Sequence, residues 1–319
     1  MRITLIHNPT AGDHLQPTGE QIVQMIRAAG HKVKYQSSKE KRWKKALEKP
    51  CDLVAVAGGD GTVSKVAKQL MDSGTPIALL PMGTANNIAK TLGIADESFA
   101  TLIDGWGSAR SAKFDAGVAK GPWGTECFIE GFGVGLFAEA MARIQEKQEA
   151  ASGASSDPKH DSESVLEILK KRLQRMQASQ LTVRLDGEKF SDEYLLFEIL
   201  NVRYLGPNLN LVPQADVGDG LFDVVFVSKN ERNKLSRYLA SLIRGRPATS
   251  RLSVRTGKRL QIEWEGSPVH FDDERWPAEG EQIPARLIKV DARVKPAAVI
   301  LLLPRVKQHS SSKKQHASK

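Results

Sequence analysis

The first hundred residues alternate strand and helix with short connections, and this constrains the fold more than any other feature. RITLIH reads as a strand, and EQIVQMIRAAG as a helix whose apolar residues recur at three- and four-residue spacing up to Gly30. VKYQ, DLVAVA and PIALLP follow as strands, interleaved with the predicted helices KRWKKALE, VSKVAKQLM and ANNIAKTLGI. Such alternation builds a parallel sheet covered by helices on both faces. Ligands of these sheets collect beyond the carboxyl ends of the strands. NPTAG, GGDGT and PMGTAN all fall there, so three turns can converge on one cleft.

After about residue 113 the pattern becomes antiparallel. SAKFDAGVAK, TECFIEGFG, LTVRLDG, EYLLFEIL, FDVVFV, RLSVRT and RLQIEWE read as strands separated by turns. The expected fold is therefore α/β, with an N-terminal parallel-sheet nucleotide-binding domain and a C-terminal β-rich, sandwich-like domain. The boundaries expected are 1–125 and 126–296, with a strand near 297–304 returning to complete the first domain. The polar stretch 147–164 reads as a mobile loop between two helices, and 305–319 as a disordered basic tail without an acid.

The chain of 319 residues is 40% hydrophobic and 26% charged, a soluble globular composition. PIALLP and AAVILLLP fall far short of the roughly 20 apolar residues that cross a bilayer. Cys51 and Cys127, both in predicted strands, offer neither a disulfide framework nor a zinc site. These features and the lack of a signal-peptide pattern lead to the expectation of a cytoplasmic protein. The net charge of +9 sits in the tail and in helix-like runs such as LEILKKRLQRM, without a stacking motif for bases. That distribution argues against nucleic acid and suits an anionic membrane surface.

In GGDGT, Gly58, Gly59 and Gly61 free the backbone for close approach, and the following helix aims its N-terminus at the turn. Thr62 either caps that helix or donates to a phosphate. Asp60 would repel phosphate unless a cation such as Mg²⁺ stood between them, and it serves equally as a cap. PMGTANNIAKTLGI offers a second anion-friendly turn through Gly83 and Thr84, again with capping as the alternative. His7 and His270 read as structural rather than catalytic.

GGDGTVSKV followed by PMGTANNIAKTLGI resembles the diacylglycerol kinase catalytic-domain family, which includes bacterial lipid kinases and sphingosine kinases. NPTAG, FIEGFGVGLFAEA, NVRYLGPNLNLVPQADVGDGLFDVVFV and VHFDDERW resemble further motifs of that family, in its order. The resemblance implies an ATP-dependent kinase that phosphorylates a hydroxyl of a membrane lipid, with ATP as substrate and Mg²⁺ as cofactor. ATP phosphates would be held by Gly58, Gly59, Asp60, Gly61, Thr62, Val63 and Ser64, by Gly83 and Thr84, and by Ser37. Asp216, Asp219 and the carbonyl of Leu221 correspond to a structural Mg²⁺ site, and Glu274 to the general base. A peripheral membrane location and a homodimer complete the expectation.

Two positions depart from the family pattern. Asn87 stands where the family usually has an acid, and Asp273 where its DGE motif has glycine. They keep a nucleotide-binding regulator with weakened catalysis as one rival reading, and an NAD kinase-like enzyme, which also carries GGDGT before a helix and a β-rich second domain, is the other.

Overall fold

The computed structural model describes residues 1–304 apart from 13–14, 153–163, 279 and 284–285, and the side chains of 145–152. The first part begins with β1 (Arg2–His7), α1 (Gly19–Ala28) and β2 (Lys32–Ser37). Next come β3 (Leu53–Gly58), α2 (Asp60–Leu70) and β4 (Ile77–Pro81), followed by the short helices α3 (Asn87–Thr91) and α4 (Phe99–Asp104). Thr18 and Gln21 form a capping box that fixes the start of α1. β1 pairs in parallel with β2 and β3, and β3 with β4, which gives the order β2-β1-β3-β4. Every residue of β3 is buried, as its continuous apolar sequence requires of a central parallel strand. KRWKKALE departs from expectation. Only Trp43–Ala46 is helical, as one 3₁₀ turn without a side-chain cap, in a run of like charges that ends at Pro50.

The second part is antiparallel. It opens with β5 (Arg110–Gly121), β6 (Gly124–Phe128) and β7 (Gly131–Gly135), then α5 (Leu136–Ser152) and α6 (Val165–Arg175). Strands β8 (Ser179–Leu185), β9 (Glu188–Leu200) and the small hairpin β10 (Tyr204–Leu205) and β11 (Leu209–Asn210) follow. Then come β12 (Phe222–Ser228), α7 (Arg232–Ile243), β13 (Ser253–Gly257) and β14 (Arg259–Trp264). The chain closes with β15 (Val269–Phe271), β16 (Glu274–Trp276) and the long β17 (Ile288–Leu303). Helix α5 extends through residues 147–152, so that part of the expected loop is helical. The rest of the loop up to 163 and the tail 305–319 lie outside the described residues.

The long strand β17 joins the two parts. Its first half pairs with β14, and its second half with residues 110–114 of β5 and, through Leu301 and Ile77, with β4. Accordingly Ile288, Val290 and Ala292 enter the core of the β-rich part, whereas Val299, Leu301 and Leu303 enter the core of the α/β part. A third core lies under α5, α6 and α7 against β9 and β12. Among the described residues no helix is long and apolar enough to cross a membrane.

Candidate active site

The three turns at the carboxyl ends of the parallel strands meet. In the first turn, the Asn8 N–H donates to the Ala57 carbonyl at 2.8 Å and its side-chain amide to Thr62 Oγ1 at 3.2 Å. Gly12 has φ +77°, and a Cβ there would come 2.5 Å from the Met82 carbonyl oxygen, so the first turn lies on the third. The second and third turns touch backbone to backbone: a Cβ on Gly83 would lie 2.6 Å from the Gly59 Cα. Gly59 occupies the N-cap position of α2 and brings no capping side chain, which leaves that helix end open to a ligand.

Asp60 is a cap, although not of the helix it begins. Its carboxylate accepts the N–H groups of Asn87 at 2.9 Å and Ile88 at 3.0 Å, across the cleft at the start of α3. Burial raises its proton affinity, and those two N–H groups oppose the shift. At the third turn Asp60 thus occupies the N-terminus of α3, while Gly83 and Thr84 face the cavity between the turns. Thr84 does not start that helix either: Asn86, at φ +51°, is its N-cap and accepts the Gly83 N–H at 2.8 Å.

The opposite wall comes from the hairpin between β15 and β16, whose turn is Asp272–Asp273. The left-handed residue is Asp272, at φ +52°, rather than the glycine-substituting Asp273. Asp272 Oδ1 accepts N–H groups from Ile129 at 2.9 Å, Glu130 at 2.8 Å and Gly131 at 3.3 Å. Its Oδ2 lies 2.8 Å from Lys68 Nζ. Burial works against the charged form of Lys68, but Asp272 overrides it and raises the lysine's proton affinity. The same contacts break the predicted strand TECFIEGFG into β6 and β7. Asp273 stands over the GGDGT turn, where a Cβ on Gly61 would come 2.5 Å from its Oδ2. Beneath the hairpin His270 is fully buried, with Nε2 2.9 Å from Glu198 and Nδ1 3.1 Å from the Asp272 carbonyl. Burial disfavours the imidazolium, yet the Glu198 carboxylate outweighs burial and raises the His270 pKa.

Between these walls lies a cavity of about 430 Å³ with two chemically distinct parts. One is polar and carries Gly59, Asp60, Gly61, Gly83, Thr84, Asn87, Glu130, Asp272 and Asp273. The other is an apolar arm of Phe137, Met141, Ile144, Val165, Leu205 and Pro207. Asn87 links them, since its side-chain amide lies 3.0 Å from the Gly206 carbonyl and 3.5 Å from Glu130 Oε2.

Of the residues singled out in the sequence, Gly59, Asp60, Gly61, Gly83 and Thr84 line this cavity. Gly58 is the buried end of β3, Thr62 is held by Asn8, and Val63 and Ser64 face the core from α2. Ser37 closes the edge strand β2, beside His7 and outside the cavity lining. Glu274 is exposed on β16 and is likewise absent from the lining.

Asp216, Asp219 and Leu221 sit together at the junction of the two parts. Asp216 Oδ1 accepts the Gly218 N–H at 3.1 Å, and Asp219 Oδ1 accepts the Leu221 N–H at 2.9 Å. The nearby Asp115 accepts from Gly220 and Ala297, each at 2.7 Å. Burial raises its pKa, those N–H groups oppose the shift, and Asp219 and Asp216 add to it. Hard oxygen donors and concentrated negative charge suit Mg²⁺. Among the described residues, however, no three His, Cys, Asp or Glu side chains stand in a metal-holding arrangement.

Sequence reasoning missed Glu130, Lys68, Glu198 and the Asn87 link. A glutamate inside the apolar run FIEGFG was the one available signal for Glu130.

Residues 2–119 match the diacylglycerol kinase catalytic domain, and residues 159–303 match the YegS C-terminal NAD kinase beta sandwich-like domain. The chain belongs to the diacylglycerol kinase catalytic-domain family. Among its relatives is a diacylglycerol kinase of Bacillus subtilis, 23% identical over 282 residues that cover 83% of this chain and 89% of the relative. A diacylglycerol kinase of Mycobacterium tuberculosis is 24% identical over 307 residues, covering 90% of this chain and 94% of the relative. The fold is shared with the crystal structure of a diacylglycerol kinase from Bacillus anthracis, at a TM-score of 0.67 and 20% identity. That match covers 95% of this chain and 97% of the other. The two matches together extend through both parts of the molecule, the diacylglycerol kinase catalytic domain carrying the glycine turns and the β-rich part the opposite wall.

Proposed function

We propose that this protein is an ATP-dependent lipid kinase, transferring the γ-phosphate of ATP to a hydroxyl of a membrane lipid. The observation that carries this reading is the two-part cavity, whose polar end of glycine turns runs directly into an apolar arm. A triphosphate suits the first part, where the open N-terminus of α2 and the bare backbone at Gly59 and Gly61 present N–H groups at close range. A hydrocarbon chain suits the second, where Phe137, Met141 and Leu205 would exclude water from it. Phosphoryl transfer asks mainly for positioning and charge stabilisation, and a cavity that fixes both substrates end to end provides the positioning.

Mg²⁺ accompanying ATP would supply positive charge between Asp60 and the phosphates. Asp216, Asp219 and the Leu221 carbonyl would hold a second, structural ion away from the reaction. The acceptor lipid resides in a bilayer, so the enzyme works at an anionic membrane surface through peripheral contacts.

The test supplies labelled ATP with mixed micelles of a lipid extract, with NAD, or with no acceptor. Label in the lipid phase is the expected result. Label in NADP instead would replace this reading with an NAD kinase-like one. ATP binding without transfer to any acceptor would leave a nucleotide-binding regulator.

A further inference from the structure

We infer that the tip of the β10–β11 hairpin, residues 206–208, sets which hydrocarbon chains the apolar arm accepts, and that Asn87, Lys90 and Thr91 of α3 are the residues that position it. This deepens the lipid half of the reading above and rests on it.

The two ends of the hairpin are held differently. Leu205 and Leu209 pair across it, and both lie in the core beneath α5, α6 and α7. Just past its second strand, Leu211 and Val212 donate their N–H groups to the Arg203 carbonyl at 3.1 and 3.2 Å. The tip is three residues long, and two of them have left-handed backbone, Gly206 at φ +55° and Asn208 at φ +61°. One bond closes it from within, from the Asn208 N–H to the Gly206 carbonyl at 2.8 Å. A two-stranded hairpin of this size has little stability of its own, so its tip keeps one shape only against a neighbour.

That neighbour is α3. Residues 87, 90 and 91 are spaced three and four apart and so share one face of the helix. Asn87 Nδ2 donates to the Gly206 carbonyl at 3.0 Å, and Lys90 Nζ to Asn208 Oδ1 at 2.6 Å. Thr91 Oγ1 accepts the Arg203 N–H at 3.1 Å. Asn87 and Thr91 are buried, where a hydrogen bond is electrostatically stronger than in water. The Gly206 carbonyl can only accept, so position 87 has to donate, which an ionised acid does not do. The amide that departs from the family pattern at Asn87 thus has a use in this chain. Asp60 ties the start of the same helix to the GGDGT turn. One short helix therefore fixes the hairpin tip relative to the glycine turns.

The contacts of the tip show what this placement controls. Leu205, Gly206 and Pro207 line the cavity together with Phe137, Met141 and Ile144 of α5. A Cβ on Gly206 would come 2.9 Å from Phe137 Cε1, so the tip packs directly on α5. It is a wall of the arm, and its position fixes the arm's width. Each methylene that a chain buries against a fitted wall tightens binding about fourfold. A wall free to shift leaves gaps beside the chain and forfeits part of that gain.

The experiment measures, by calorimetry, the Kd of 1-hexanol, 1-octanol and 1-decanol, which carry a hydroxyl on chains of increasing length. The proteins are full-chain wild type, Thr91→Val, Asn208→Gly, the double variant of these two, and Thr91→Ser. The Kd of a fluorescent ATP analogue and label transfer from ATP to lipid-extract micelles are measured alongside. In wild type the alcohol Kd should fall roughly fifteenfold for each two methylenes, and in the double variant less than about fivefold. The ATP-analogue Kd should stay within about twofold, because Asp60 is held by backbone N–H groups that none of these substitutions removes. Thr91→Ser keeps the hydroxyl and should keep the wild-type ratio. A loss of stability alone would weaken all three alcohols together and leave the ratio unchanged. If the double variant melts below the assay temperature, Asn208→Gly decides, since glycine adopts φ +61° without strain and loses only the contact to Lys90.

A wild-type Kd that does not depend on chain length overturns the inference, and so does a ratio that the deciding variant leaves unchanged. Label in the lipid phase then leaves the kinase reading standing. A steep ratio that the variants flatten, with no label in any lipid, supports the hairpin's role in chain binding and overturns the kinase reading.

Discussion

Asp60 starts one helix and caps another, and this double use alters what its removal should do. A carboxylate that only balanced phosphate charge could be deleted without harm to the fold. Asp60→Ala instead strips the Asn87 and Ile88 N–H groups of their partner inside a largely buried cleft. Losing such a cap costs roughly 0.5–2 kcal/mol. Asp60→Ala is therefore expected to lower both the urea midpoint and lipid-kinase turnover. A variant with unchanged midpoint and no turnover would show that water replaces the cap. The sequence marks Asp60 as odd in a phosphate cradle but does not reveal its partner, which lies 27 residues further on and is reached only through the fold.

At the scale of elements, the two glycine turns behave as one packed unit. A Cβ on Gly83 would meet the Gly59 Cα at 2.6 Å, whereas a Cβ on Gly59 would meet the Gly83 Cα at 3.1 Å. Both obstacles are backbone and cannot rotate away. Gly83→Ala should accordingly destabilise more than Gly59→Ala, in the range of about 1–3 kcal/mol for overpacking, as read from paired denaturant melts. The hairpin opposite them rests on the buried His270–Glu198 pair. Removing one partner of such a pair costs roughly 3–5 kcal/mol, the expectation for Glu198→Gln. The pH dependence follows from the direction of the shift. His270 binds its proton more tightly folded than unfolded, so its contribution is complete below its unfolded value of about 6.5 and is lost as pH rises through the raised one. The melting-temperature gap between wild type and the double variant His270→Gln/Glu198→Gln should therefore narrow from pH 6 to pH 9, and a constant gap would contradict it.

What was legible in the sequence follows the same division. Parallel strands and glycine turns announce themselves, because apolar runs and glycines report on their own backbone. Glu130, Glu198 and His270 do not, because their meaning lies in burial and in partners from other strands. The split of TECFIEGFG into two strands has the same origin, since the carboxylate that gathers those N–H groups belongs to Asp272.

For the whole molecule, charge and topology set the expectations. α6 buries Ile168, Leu169 and Leu173 and carries Lys170, Lys171, Arg172 and Arg175, of which Lys171 and Arg172 are already engaged, Arg172 by Glu139. Each cation near an anionic leaflet contributes about 1 kcal/mol within a Debye length. The protein should co-sediment with anionic vesicles at low salt and be released at high salt. Equal partitioning to neutral and anionic vesicles, or none to either, would reject electrostatic docking while leaving the kinase reading untouched.

The strand β17 has a consequence for how the molecule is made. Leu301 reaches the edge of β4, and residues 299–303 cover the start of β5, yet Ile77 precedes Leu301 by 224 residues and Phe114 precedes Val299 by 185. During synthesis the nascent α/β part must leave the ribosome with that edge bare, waiting for a strand still to be translated. Neither half can mature by itself, and an exposed strand edge is a template for wrong partners. Such late, long-range closure makes folding slow, and chaperone demand during translation should exceed that of a chain with two self-contained halves.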